Sequence, residues 1–211
     1  MADITIKIIQ AADSFALLTL AELKTSLNIP PTDTSQDAAL QELIDRYSDV
    51  VSTLCNRVFA QETVRETWRE LQGSRVFLSH WPAKEEDIAL VEAPSGTVLD
   101  PSTYEFEERS GKLSIFTEHP EPIVVSYIGG YILPDEAPPA LKQACELLIR
   151  QDRALKQQQA VAGVRSISHR EARVMYFDPA ASAAKSFATL SSGGVGQALQ
   201  SLLYHYVRFY V

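Results

Sequence analysis

The hydrophobic period of this chain changes twice, from 3.6 residues to two and back again, and that order limits the folds open to it. Over residues 36–57, Leu40, Leu43, Ile44, Tyr47, Val50, Val51, Leu54 and Cys55 recur at i, i+3, i+4 and i+7. This spacing predicts one amphipathic helix about 30 Å long. From 62 to 128 the period is two. Val64 and Trp68 alternate with Arg65 and Arg69, Tyr104 and Phe106 alternate with Glu105 and Glu107, and Ile123, Val125 and Tyr127 close the series. Prolines and glycines punctuate the run, and Arg109-Ser110-Gly111-Lys112 reads as a hairpin turn. A small antiparallel β unit set between helices is predicted. After Gly129-Gly130, Pro138-Pro139 opens a second long helix, with a stripe of Leu141, Ala144, Cys145, Leu148, Asp152 and Leu155 reaching about residue 158.

The ends are less regular. Residues 4–9 alternate as a short strand or extended arm. Thr19 and Glu22 form a capping box flanked by Leu18 and Leu23, so a short helix is expected over about 20–28, ending before Pro30-Pro31. Beyond Gly163 the periodicity weakens. Residues 166–177 have β-like content, and Asp178-Pro179 could cap an alanine-rich helix over 179–188. A last helix from about 196 would turn Leu199, Leu202 and Leu203 inward and its terminal aromatics outward. The expected fold is mainly α: a helical bundle with a long central helix and C-terminal helices, carrying a small antiparallel β insertion. The expected division is an N-terminal arm at 1–14, a core at 15–160 and a C-terminal docking segment at 161–211.

Composition narrows the function classes. Lys plus Arg is 19 and Asp plus Glu is 27, giving a net charge of −8, which argues against broad adhesion to nucleic acid or anionic membrane. No apolar run approaches the roughly 20 residues of a membrane helix. The N-terminus has no basic region followed by an apolar block, so no secretory signal is expected. Cys55 and Cys145 sit on apolar stripes and read as buried thiols. His80, His119, His169 and His205 make no short metal motif and there is no CxxC, so no metal or cofactor is expected.

Several constellations could carry chemistry. Gly193-Gly194-Val195-Gly196 precedes a helix, but it matches neither phosphate-binding pattern and reads as a hinge. Glu105, Glu107 and Glu108 with Asp87 could supply paired carboxylates. They support an alternative reading, a small α+β enzyme or ligand-binding domain, although no GxSxG or Cys–His signature accompanies them. Arg165, His169, Arg170 and Arg173 form a basic cluster suited to phosphate or an acidic protein surface, or else a solvated loop face. Tyr204, Tyr206, Arg208, Phe209 and Tyr210 crowd the C-terminus, where Tyr and Phe serve well as partner anchors.

Taken in order, these segments resemble the tailed-phage head–tail connector family, also called adaptor or head-completion proteins. The resemblance lies in LLTLAELKTSLNI (17–29), in the long helix 37–59, in a block through Val125, Tyr127, Gly130, Tyr131, Pro139, Leu141, Lys142 and Ala144, and loosely in Leu202, Leu203, Tyr206 and Arg208. It implies a structural virion protein without catalytic residues, made in the host cytoplasm and built into the head–tail neck. It further implies a ring of twelve copies docked under the portal protein, extending a DNA channel and presenting a platform for a stopper or tail-completion protein. DNA would pass without sequence-specific binding, and no membrane is involved. The resemblance places portal docking in 160–211. Within that segment the partner-binding candidates are Arg165, His169, Arg170, Arg173, Tyr204, Tyr206, Arg208, Phe209 and Tyr210, and the segment is expected to order on docking.

Overall fold

A computed structural model describes residues 3–69, 75–92, 95–108, 110–116, 122–161 and 194–208. The chain divides into two compact units, residues 1–16 with 56–137, and residues 17–55 with 138–211.

Among the described residues the second unit is helical. It contains α1 (Leu20–Ser26), α2 (Asp37–Cys55), α3 (Pro139–Val161) and α4 (Gly194–Leu203). The capping box predicted for α1 is present. Thr19 Oγ1 accepts from the Glu22 amide at 3.1 Å, and Glu22 Oε2 accepts from the Thr19 amide at 2.8 Å. A cap of this kind contributes about 1 kcal/mol. Asn28, at φ 56, takes the left-handed turn that ends the segment, and the Ile29 amide closes back on the Lys24 carbonyl. Lys24 is buried and pairs with Asp37 at 2.5 Å, in the first turn of α2, where a carboxylate also suits the helix dipole.

α2 buries Leu40, Ile44, Ser48, Val51 and Cys55 along one stripe. α3 buries Leu141, Ala144, Cys145, Leu148 and Ile149, and the two helices pack together. Both cysteines are buried thiols and no disulfide joins them. Burial pushes the Cys145 thiol up to about 12, so it sits in the core as a small hydrophobe with Ser48 Oγ at 3.9 Å.

The first unit is built from strands: β1 (Asp3–Gln10), β2 (Glu62–Arg69), β3 (Arg75–Phe77), β4 (Ala89–Glu92), β5 (Tyr104–Glu107), β6 (Lys112–Ile115) and β7 (Ile123–Gly129). They form two antiparallel sheets, one of order β1-β2-β7-β4 and one of order β3-β6-β5. Period-two burial holds along β2 and β7, as alternation requires. Val64, Trp68, Leu90, Ile123 and Val125 from the first sheet share one core with Phe106, Leu113 and Ile115 from the second. The β5–β6 hairpin closes where expected, with the Gly111 amide on the Glu107 carbonyl and Gly111 at φ +67. Gly130 marks the end of β7. At φ +109 its amide reaches the Pro82 carbonyl, and a Cβ there would stand 2.3 Å from the Ala60 carbonyl oxygen.

This overturns the mainly-α expectation. The protein has an α+β fold. The strands are no insertion hung on a helical bundle: they make two antiparallel sheets with a core of their own. Residues 4–9 belong to that sheet, because β1 pairs with β2 from Asp3↔Arg69 to Gln10↔Thr63. Of the two readings of residues 4–9, short strand or extended arm, the structure shows the strand; which strand it pairs with is a non-local property that short-range periodicity does not contain. The proposed β-like run at 166–177 and helix at 179–188 lie outside the described residues.

Candidate partner-binding surfaces

The C-terminal helix is attached through its leucines. Leu199 and Leu203 are buried and α4 packs on α3. The chain then turns, with the Tyr206 and Val207 amides on the Leu203 carbonyl, and the Arg208 amide donates to the Cys55 carbonyl at 2.8 Å. Tyr204 points away, 62% exposed, with its ring edge-on to His205 at 5.4 Å between centroids. Of the arrangement the sequence predicts, Leu199 and Leu203 lie inward and Tyr204 outward, while Leu202 is half-buried. Tyr206 and Arg208 are half-buried. Arg165, His169, Arg170, Arg173, Phe209 and Tyr210 lie outside the described residues.

The carboxylates of the alternative, catalytic reading face solvent. Glu105 and Glu107 lie on the outer face of β5, Asp87 is exposed in a 3-10 turn, and Glu108 accepts from the Glu85 amide at 3.2 Å. Among the described residues no three His, Cys, Asp or Glu side chains gather as a metal site would need.

A polar cluster that the sequence analysis did not single out lies inside the first unit. Glu66 is fully buried. Its Oε1 accepts from the Ser79 amide at 2.8 Å, from the Tyr127 hydroxyl at 2.5 Å and from the Ser79 hydroxyl, and its Oε2 accepts from Trp68 Nε1 at 2.9 Å. His80 continues the chain, with Nδ1 2.9 Å from Ser79 Oγ and Nε2 2.9 Å from Glu62 Oε2. The Ala12 amide reaches Glu62 Oε1 at 3.4 Å. Beside these groups, the Arg57 guanidinium lies 3.3 Å over the Trp81 ring and donates to the Trp81 carbonyl.

The order Ser79–His80–Glu62 has the connectivity of a hydrolase relay, but its geometry is that of a core network. All three residues are buried, and the one Ser79 proton is shared among His80 Nδ1, Glu66 and the Tyr127 oxygen. Burial, and next to it the Glu66 carboxylate, pushes the Tyr127 phenol well above its ordinary range, so it remains a donor. One signal was available in the sequence. Glu62 and Glu66 share the parity of Val64 and Trp68, which puts two carboxylates on the core side of a strand.

Burial lowers the His80 pKa below its ordinary 6.5, while the hydrogen bond and charge of Glu62 and the charge of Glu66 oppose this and Arg57 adds to it. The unfolded chain therefore binds a proton on this residue before the folded chain does. Stability should fall as pH drops through 6.5, by up to about 1.4 kcal/mol per unit. Urea midpoints at pH 7.5 and 5.5 test this. The wild type should lose more between them than His80→Gln does, and equal losses would refute the assignment.

The head completion protein family matches residues 16–172. No curated protein matches the chain. Three solved structures share its fold over 98% of its length. They are the neck of an empty GTA particle computed with C6 symmetry (14% identity, 97% of that chain, TM-score 0.56), the neck of a native GTA particle computed with C12 symmetry (14%, 97%, 0.51), and the virion of a native gene transfer agent particle (16%, 96%, 0.56). The family match spans the capped helix α1, both long helices and all of the second sheet, well over half of the sequence, and so the chain belongs to the head completion protein family.

Proposed function

We propose that this chain is a structural component of the virion neck, assembling as a ring of twelve copies beneath the portal protein. The ring extends the DNA channel and offers a platform to a stopper or tail-completion protein. The observation that supports this reading is family membership across residues 16–172, together with likeness along nearly the whole chain to neck components solved with six- and twelve-fold symmetry. A net charge of −8 suits a conduit, since a basic lumen would hold phosphates. Cryo-electron microscopy of the native particle tests it: twelve copies between portal and tail are expected, and absence from the neck would overturn it.

In this reading the C-terminal segment 160–211 docks on the portal, and the exposure of Tyr204 supports its use as an anchor. Truncating the chain at 199 would also remove Leu199 and Leu203 from α3, so a surface substitution is the cleaner probe. Tyr204→Asp should leave thermal unfolding unchanged and reduce attachment to filled capsids at least about tenfold, the effect of losing one anchor of about 1.4 kcal/mol or more. Normal attachment of this variant would remove Tyr204 from the interface.

A further inference from the structure

The two edges of the first sheet are treated differently. On β4, the Leu90 carbonyl is covered by the Leu99 amide at 3.0 Å. On β1, no described residue pairs with the outer edge along eight residues. Ile4, Ile6 and Ile8 stand opposite Trp68, Glu66 and Val64, so they extend the core face of the sheet, yet Ile6 is 47% and Ile8 51% exposed. On the other face Lys7 stands directly opposite Arg65, both exposed, with Arg69 further along β2. Like charges placed side by side destabilise an isolated sheet, and an unprotected apolar edge invites pairing.

The second sheet offers a strand of matching pattern. β5 is an edge strand. Its Tyr104 and Phe106 face the core, and its Glu105 and Glu107 face solvent. The Phe116 amide bonds the Thr103 carbonyl, so ladder alternation directs the backbone groups of Tyr104 and Phe106 to the outer edge. No described residue bonds them there. Lys112 on β6 stands opposite Glu107 and is half-buried, and Arg75 on β3 stands beyond Ser114 in line with Glu105.

We propose that β1 of one copy adds to the β5 edge of a second copy. Side chains alternate with period two in both strands, so one register sets Ile4, Ile6 and Ile8 on the face of Tyr104 and Phe106 and, at the same time, Lys7 on the face of Glu105 and Glu107, with Arg65 one strand behind it. A one-residue slip would put isoleucine against glutamate. The two surfaces differ and are complementary, which is what a closed head-to-tail ring requires. The contact rests on the ring reading above and specifies where its subunits meet.

A charge exchange tests it in particles made by the native host, with the chain counted per portal by mass spectrometry and the ring imaged by electron microscopy. Lys7→Glu with Arg65→Glu makes both edges acidic, and Glu105→Lys with Glu107→Lys makes both basic. Each variant alone should be lost from necks while unfolding at the wild-type temperature. Made together, they should return in a 1:1 ratio, because an alternating ring of even number pairs every edge with its opposite. Wild-type chain missing from necks would sink the ring reading itself. Wild-type chain present, with either variant incorporated normally or with no recovery in the mixture, would overturn the β1–β5 contact alone.

Discussion

Replacing Glu66 with alanine should cost about 3–5 kcal/mol of stability, read as a drop in the urea midpoint. The residue sits on β2 with no exposed surface, and its two oxygens accept from Ser79, Tyr127 and Trp68. Alanine would leave the Trp68 indole N–H and the Ser79 amide without the acceptor they now use, and would leave the Ser79 and Tyr127 hydroxyls only each other and His80 Nδ1. A buried donor without a partner costs about 1–3 kcal/mol, and the losses do not add in full because neighbours relax and water can enter. Glu66→Gln separates shape from charge: it keeps one acceptor but turns an amide donor toward one of the donors now satisfied, and should fall between. Glu105→Ala, on an exposed strand face, should stay within about 0.5 kcal/mol. Equal effects of Glu66→Ala and Glu105→Ala would show that the network contributes nothing to stability.

Glu66 also shows where reading the sequence stops. Alternation placed Val64 and Trp68 inside and Arg65 and Arg69 outside, and the burial of β2 follows that pattern. The same alternation put Glu66 inside, but its partners come from Ser79 and Tyr127, 13 and 61 residues away, and no local pattern contains them. β1 is a similar case. Its isoleucines were visible, and their pairing partners on β2, Trp68, Glu66 and Val64, were not. Local features did better. The Thr19–Glu22 box and the turn at Gly111 are settled by neighbours a few residues apart, and each is where the sequence places it. Family resemblance supplied what periodicity could not, the association of this order of segments with a head completion role. On the C-terminal helix, Leu199 and Leu203 inward and Tyr204 outward follow from a single helical stripe.

The α2 stripe gives the second large effect, and it tests how far a helical pattern can be trusted. Ile44 and Leu54 both lie on the apolar stripe read from the sequence. They are ten residues apart, nearly three full turns, and their surroundings differ. Ile44 is fully buried in the helical unit, whereas Leu54, near the end of α2, is 52% exposed. Ile44→Ala removes buried methyl groups and leaves a cavity in the helical unit, where α2 packs on α3, so about 2–5 kcal/mol should be lost. Leu54→Ala removes surface that is already half in water and places the best helix former in the last turn. It should change stability by less than about 1 kcal/mol. Helical circular dichroism through a urea titration reads both. A large loss at Leu54 would mean that this position is covered in solution by a partner or a second copy, since the surroundings of Leu54 within the unit leave little to lose.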